Sequence, residues 1–357
     1  MTICVLGKNL TALLISKILV NKGLNVDIFF RDKNKERKNS RTIGLSNNSV
    51  DFLEKEKIFI KKNCWSIKKI NLYKGKEIKK FLSFNPTNNC FFITYYSKLY
   101  NLIESNLKKN NLIKLYKKKQ DDSLKFLNRN YELIINTETD NKLSKKYFNK
   151  KIKKDYKSIA YTTIITHSKL LNNIAEQYFT IFGPIAFLPI SNYKTSVVFS
   201  NFNKNLIGTE NKIVMVIKEF ANKYKIKNVD ALEKFPINLS LSRNYYHKNV
   251  LSFGDALHKI HPLAGQGFNM TIRDASKLSS MIQDKLDLGL TLDGVLKNFE
   301  SSRKDNNFLF ALGIDFIHEF FKLSNKYDIK YTDRLLNYLD KTNLIKNKLQ
   351  NFANSGF

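Results

Sequence analysis

Cysteine, proline, tryptophan and acid are all scarce in this chain of 357 residues. Its three cysteines, Cys4, Cys64 and Cys90, are odd in number and have no CxxC spacing. That excludes a disulfide framework and a zinc cluster, and suits a reducing cytosol. Long apolar runs are missing too: none approaches the ~18 residues of a membrane span. Leu10–Val20 is apolar but short, contains Lys17, and lacks a basic leader and a small-residue cleavage site, so it does not read as a signal peptide. The expected location is therefore cytoplasmic. The shortage of acid is the largest: 31 Asp and Glu against 61 Lys and Arg leave a formal charge of +30. Such a surface favours polyanionic neighbours, either nucleic acid or anionic lipid. Over-use of Lys, Asn, Ile, Phe and Tyr supplies a blander origin, drift toward AT-rich codons, and no RNA- or DNA-binding motif accompanies the charge. A nucleic-acid partner is not expected. What is present suffices for a core: 43% of residues are apolar and 13% aromatic. The length suits about two domains.

The chain opens as strand, turn, helix, strand. Thr2–Leu6 is a buried-strand run, Gly7 punctuates it, and Ala12, Ile15 and Leu19 recur at helical spacing until Gly23. Val26–Phe30 is a second apolar run, completing the βαβ opening of a parallel sheet. A basic loop, Arg31–Ser40, leads to Arg41–Leu53 with a helix-like end. Trp65–Phe92 is mixed and strand-like, Leu99, Ile103 and Leu107 predict a helix, and Tyr131–Asn136 predicts a strand. A Lys-rich polar stretch then ends near Lys157. Ile159–Thr166 and Ala186–Ser200 read as β-structure with Gly183–Pro184 as a turn, and Asn211–Tyr224 as a helix. Asn249–Phe253 is a strand running into Gly254, and helices follow around Ile272–Ile282 and Phe308–Phe321.

The chemistry concentrates in Leu251–Leu278, LSFGDALHKIHPLAGQGFNMTIRDASKL. An apolar strand runs into Gly254-Asp255, which puts a carboxylate at the carboxyl end of a strand, where α/β sheets bind ligands. A loop with Pro262, Gly265 and Gly267 then enters a helix. Its glycines let backbone N–H groups approach a phosphate or a ring, and the helix N-terminus adds positive potential. An acid for a hydroxyl beside a Gly-rich helix start suits a nucleotide cofactor. No Ser-His-Asp, two-carboxylate or metal constellation appears. His258 and His261 have no third ligand at suitable spacing and read as packing residues.

The segment closely resembles the GD motif of the FAD-dependent aromatic hydroxylases, GDAAHxxxPxxGQGxNxGxxD. Gly254, Asp255, Ala256, His258, Pro262, Gly265, Gln266, Gly267, Asn269 and Asp274 fall on the pattern. HPLAGQGFN, with His261 before the proline, is most similar to the branch that hydroxylates ubiquinone precursors. Arg41 in RTIGLSNNSVDFL, GPIAFLPI at Gly183–Ile190 and FESSRKDN at Phe299–Asn306 resemble further family motifs in the right order. The first fingerprint, GxGxxG, is represented by Gly7-Lys8-Asn9-Leu10-Thr11-Ala12, where Asn9 replaces the middle glycine and Ala12 the last. Phe30 stands where the second strand should end in an acid, with Asp32 two residues on. The middle motif is reduced to NTETDNKLSKK, with Asp140 and Ser144 aligned and Asn141 in place of glycine.

The resemblance implies an α/β fold: a Rossmann-like FAD-binding domain, an interleaved β-sheet substrate domain and C-terminal helices. Residues 1–65, 91–157 and 240–322 would form the first, 66–90 and 158–239 the second, and 323–357 a helical tail. It implies FAD as cofactor, NAD(P)H as reductant and O₂ as oxygen donor, for hydroxylation of a polyprenylated phenol. Gly7, Ala12, Arg41, Gly254, Asp255, Pro262, Gly265, Gln266, Gly267 and Asn269 would bind FAD, and Phe187, Leu188 and Pro189 would line the substrate pocket. Each has a plainer reading: Asp255 as a turn former, Arg41 as a surface arginine, the glycine loop as an ordinary turn, Phe187–Pro189 as a core strand. No catalytic base is named. The Lys-rich stretches Lys145–Lys157 and Lys341–Ala353 would either rest on the anionic inner membrane or form solvated faces. Asn9, Phe30 and Asn141 motivate an alternative, a flavin-poor, non-catalytic subunit of a quinone-biosynthesis complex.

Overall fold

The computed structural model describes residues 2–31, 41–74, 79–84, 91–119, 121, 123–128, 131–202, 209–261 and 265–327. Pro262, Asp32, Cys90, the Gly75, Pro86 and Asn88–Asn89 breaks and the basic tail from 341 lie outside them.

A six-stranded sheet is built on the opening βαβ unit. Its order is Tyr246–His247, Val250–Ser252, Leu133–Asn136, Thr2–Leu6, Asn25–Phe30, Ile113–Lys117, all parallel except the first. Strands buried on both faces read as continuous apolar runs, which is why Thr2–Leu6 and Leu133–Asn136 carry no polar alternation. Ile3 and Val5 face one side, packing on α1 (Leu10–Asn21) and on Leu99, Ile103 and Leu107 of α3 (Tyr96–Lys108), with α2 (Asn47–Lys55) alongside. Cys4 and Leu6 face the other, against Phe148 and Leu143 of α4 (Lys142–Tyr147).

The second sheet has nine strands among the described residues. Its spine runs Glu233–Ser242, Lys151–His167, Lys194–Asn201, Gly183–Pro189, Ile174–Thr180, Lys69–Lys74, Lys79–Phe84. One face is closed by Ile213 and Ile217 of α5 (Glu210–Phe220). A small sheet of Thr42–Leu45, Phe91–Tyr95 and Trp65–Ile67 pairs with neither but packs on both: Ile43, Leu45 and Phe92 join the first core, and Ile67, Phe91 and Ile93 pack with Ile164 and Ala175 of the second sheet. The helix α6 (Gln266–Leu288) follows the glycine loop, and α7 (Leu292–Tyr327) joins the two cores: Leu296 and Phe299 pack with the first sheet's helices, Phe310, Ile314 and Phe321 with the second sheet. Among the described residues no helix is long and apolar enough to cross a membrane.

One sequence expectation is corrected. Gly183–Pro184 is the start of a strand, and the turn is Ile181–Phe182 before it. Gly183 takes a φ of 133°, and a Cβ there would sit 1.9 Å from the Ser200 carbonyl oxygen, so the glycine serves a close strand approach. The Lys-rich stretch to Lys157 contains α4 and the start of the strand Lys151–His167. Lys151 donates to the Ala256 carbonyl at 2.8 Å and Lys154 pairs with Asp315 at 2.8 Å, so two of its lysines face protein. Lys145 and Lys146 remain exposed.

Candidate functional site

The parallel strands Thr2–Leu6, Leu133–Asn136 and Val250–Ser252 end side by side, and each is followed by one of the motif loops. Gly7, with φ 111°, donates its N–H to the Phe29 carbonyl at 2.8 Å. A Cβ on it would lie 2.5 Å from Thr137 Oγ1, so the turn between the strand and α1 has no room for a side chain. Ala12 is fully buried, as a small residue at the helix–sheet contact requires. Asn9 holds an extended conformation and caps α1: its Oδ1 accepts the Ala12 N–H at 2.9 Å, and its Nδ2 donates to the Thr137 carbonyl at 3.1 Å. Asn9 thus substitutes a side-chain cap for a glycine turn.

Gly254 meets this turn from the other end of the chain. Its φ is 62°, and a Cβ would lie 2.5 Å from Thr11 Cγ2. The next residue, Asp255, is exposed, and no hydrogen bond to its carboxylate is found among the described residues. The guanidinium of Arg41 stacks on the Tyr96 ring, 5.0 Å from its centroid, and the Tyr96 hydroxyl accepts the Leu10 N–H at 3.2 Å. Tyr96 therefore bridges Arg41 to the N-terminus of α1.

Gly265 caps α6 in the left-handed region, and its missing Cβ would approach the Gly44 backbone nitrogen to 3.3 Å. Gln266 is buried, and its Oε1 has no hydrogen-bond partner. Gly267 is half-buried with space beside it. The Nδ2 of Asn269 donates to the carbonyls of Gly44 at 2.9 Å and Gly265 at 3.2 Å, and its Oδ1 accepts the Ser46 N–H at 2.9 Å. Both amide hydrogens are committed to protein, so the Asn269 side chain ties the strand after Arg41 to the glycine loop.

The expected substrate wall is also corrected. Strand residues alternate faces, and Phe187 is fully buried toward α5, 5.7 Å from Tyr178 and 5.6 Å from Tyr224 by ring centroids. Leu188 packs on the opposite face with Ile67, Phe91 and Ile164, and Pro189 is buried. Phe187 and Leu188 cannot line one pocket.

At the outer end of the sheet the departures have structural explanations. Lys8 lies 4.6 Å from the centroid of Phe30 and pairs with Glu104 at 2.9 Å, so a cation–π contact occupies the place expected for an acid. Asn141 caps α4 through Ser144 N–H at 2.8 Å and donates to Asn136 Oδ1 at 2.7 Å, a network that needs no glycine. His258 is structural, as read from sequence. Its Nε2 lies 2.6 Å from Asp274 Oδ2, while Arg303 Nε donates to Asp274 Oδ1 at 2.7 Å and Asn307 Nδ2 at 3.1 Å. Burial disfavours charge on Asp274, but the His258 hydrogen bond and the Arg303 charge outweigh it and hold the carboxyl below the ordinary range. Thr11, Tyr96 and Thr137, which shape the site, carry no sequence signal.

Glycines without room for a Cβ, an uncommitted carboxylate and an orphaned buried amide oxygen fit a flavin at the Asp255–Gly267 end. At the adenosine end the fit is poorer, since Asn9 covers the Ala12 N–H and Phe30 offers no acceptor.

Residues 186–305 match the family model described as FAD binding domain. The chain is 29% identical over 176 residues to the mitochondrial ubiquinone biosynthesis monooxygenase COQ6 of Dictyostelium discoideum, covering 46% of this chain and 34% of that protein. It is 29% identical over 149 residues to the 3-demethoxyubiquinol 3-hydroxylase of Escherichia coli, covering 40% of this chain and 38% of that protein. The chain thus spans between a third and two-fifths of the length of these relatives. In fold it is similar to p-nitrophenol 4-monooxygenase PnpA of Pseudomonas putida, with a TM-score of 0.76 over 99% of both chains at 13% identity. HpxO of Klebsiella pneumoniae, solved with FAD and uric acid, gives a TM-score of 0.73 over 100% of this chain and 97% of that one at 12% identity. Residues 186–305 thus match an FAD binding domain, the fold is that of solved flavin-dependent monooxygenases, and the sequence relatives include hydroxylases of ubiquinone biosynthesis.

Proposed function

We propose that the protein is an FAD-dependent monooxygenase that hydroxylates the aromatic ring of a polyprenylated phenol in ubiquinone biosynthesis, with NAD(P)H and O₂. The observation that carries this is the closure of three distant segments at one sheet end: Gly254 on Thr11, Gly265 on Gly44, and Asp255 left exposed between them. The Gly7–Ala12 turn and Arg41 would hold the pyrophosphate, Asp255 a ribityl hydroxyl, and Gly265–Gly267 the ring system. Bound FAD, reduced by NAD(P)H, supplies the activation of O₂. The chain's own part is to orient ring and substrate and to exclude water between the two sheets. The proposed division follows the sheets, with Lys151–His167 counted to the substrate side. Exposed Leu309, Leu312, Phe316 and Leu323 on α7, with Lys145 and Lys146 on α4, support peripheral contact with anionic lipid, where a prenylated substrate would reside.

Asn9 and Phe30 favour a second reading, a flavin-poor subunit without catalysis. Flavin content and the visible spectrum of the purified protein separate the two, read alongside Asn9→Gly. That change removes the side-chain cap from the Ala12 N–H at a stability cost of only a few tenths of a kcal/mol. On the hydroxylase reading the wild type binds FAD, and Asn9→Gly binds it about threefold to tenfold tighter, roughly 1 kcal/mol. Two colourless proteins that added FAD cannot restore would overturn the hydroxylase and leave the subunit.

A further inference from the structure

Two connections at one end of the second sheet hold apolar side chains out in water. Leu171, between the strands Lys151–His167 and Ile174–Thr180, is 81% exposed, more than any other large apolar side chain among the described residues. Tyr193, in the turn before the strand Lys194–Asn201, is 51% exposed. One exposed leucine on a protein surface is ordinary. This pair is held outward by its backbone. The carbonyls of Tyr193 and Asn192 accept the N–H groups of His167 and Leu170 at 2.9 and 3.1 Å, and the Ser168 N–H donates to the Lys225 carbonyl at 3.0 Å. Beneath them Asn172 is buried and donates to the Ser191 carbonyl at 2.7 Å and to Thr195 Oγ1 at 2.9 Å. Three segments are thus tied into a single tip.

The charge at this tip has one sign. Residues 167–173, 190–195 and 224–227 contain Lys169, Lys194, Lys225 and Lys227 and no Asp or Glu. Glu176 and Asp230 lie just beyond. The first is buried against Lys223 at 2.6 Å, and the second accepts from Asn228 at 3.0 Å. A leucine and a tyrosine among lysines match the boundary layer of an anionic bilayer. Apolar parts enter it, the phenol hydroxyl stays at the headgroups, and lysine stems reach up to the phosphates. A nucleic acid would satisfy the lysines and leave Leu171 in water. Position also favours lipid. Tyr193 stands about 10 Å along its strand from Ser196. Ser196 Oγ accepts from Thr42 Oγ1 at 2.8 Å, and Thr42 opens the strand whose Gly44 meets Gly265. The tip is therefore at the candidate site's end of the second sheet, where a prenylated substrate would have to arrive.

We propose that Leu171 and Tyr193 form an insertion tip that enters the interface of an anionic bilayer. The proposal rests on the peripheral lipid contact named above, not on the flavin, and adds to α7 an anchor beside the site. Trp65, the one tryptophan of the chain, donates its indole N–H to the Asn172 carbonyl and so reports on the tip without a mutation. The test is flotation of wild type, Leu171→Asp, Tyr193→Asp and, on α7, Phe316→Asp with phosphatidylcholine vesicles holding about 30% phosphatidylglycerol. Trp65 fluorescence is read on the same vesicles with brominated acyl chains, and flavin content is recorded for each sample. Wild type should bind with Trp65 quenched, and phosphatidylcholine alone should bind it about tenfold or more weaker. Each Asp variant at the tip should lose about tenfold or more, from the apolar area it withholds from the bilayer. Wild type that stays off the vesicles, Trp65 unquenched on binding, or tip variants that bind as wild type does overturn the tip. Loss in Phe316→Asp with Leu171→Asp unchanged gives the lipid to α7 alone and also overturns it. Flavin retained with an unaffected Leu171→Asp removes the tip and leaves the hydroxylase. Binding through the tip by a protein that takes up no flavin supports the tip and removes the hydroxylase.

Discussion

Asp274→Ala should cost about 3–5 kcal/mol of folding stability, a large share of what a domain has. The carboxylate is fully buried and accepts from His258, Arg303 and Asn307, so its removal strands the Arg303 charge and the Asn307 amide together. It also unties the GD loop from α6 and α7 at once. The same group predicts an acid dependence. Its folded pKa is depressed, so its contribution is fully present above the unfolded value of about 3.9 and is lost as pH falls through the folded pKa. Urea unfolding at neutral pH measures the first effect. Repeating it at falling pH should show the wild type losing stability below the ordinary carboxylate range while Asp274→Ala loses less. An unchanged urea midpoint in Asp274→Ala would remove the network from the account of the fold.

Gly254→Ala should weaken FAD binding by about 30-fold or more, roughly 2 kcal/mol. The new Cβ meets Thr11 Cγ2 at 2.5 Å and forces a left-handed backbone on a residue that disfavours it by about 1–2 kcal/mol. Thr11→Ala in the same chain removes the steric part and should recover some affinity, leaving the backbone part. Gly267→Ala is the informative contrast. Its Cβ would meet only Ile260, at 3.9 Å, within a helix where alanine is favoured by about 1 kcal/mol. Folding should be unharmed or improved, so any loss of FAD affinity there reports a ring lying against the loop. Fluorescence titration with FAD, with circular dichroism as the folding control, reads all four proteins. Equal affinity in wild type and Gly254→Ala would sink the placement of the cofactor at this turn.

What was legible in the sequence was local. The run from Val250 through Gly254-Asp255 into α6 is contiguous, and strand, turn and helix followed from apolar pattern and glycines alone. The cap at Asn9 is legible too, because Asn is a preferred N-cap residue. Tyr96 and Tyr100 could not be placed, since their hydroxyls reach Leu10 and Lys8 across 86 and 92 residues. The strand Glu233–Ser242 was hidden by Pro236, although Ile237, Leu239 and Leu241 alternate inward. The proline is tolerated because the neighbouring strand His258–Lys259 covers only Ser240 and Leu241. For Asn269 the motif gives a position, and only packing shows that its side chain bonds the Gly44 carbonyl and the Ser46 N–H.

The interleaving of the two sheets also sets a timetable for synthesis. Leu133–Asn136 lies at the middle of the parallel sheet, yet its outer neighbour Val250–Ser252 is encoded about 115 residues later. At about 5–20 residues per second, a ribosome leaves that strand's hydrogen-bonding edge open for roughly 6–23 seconds. In that interval the nascent chain makes α4, most of the second sheet and α5, so the cofactor end starts to close only afterwards, with the segment that carries its carboxylate. A chain cut between the sheets would keep that edge permanently, which makes truncated products of this protein the ones a cell must hold back from strand-to-strand association.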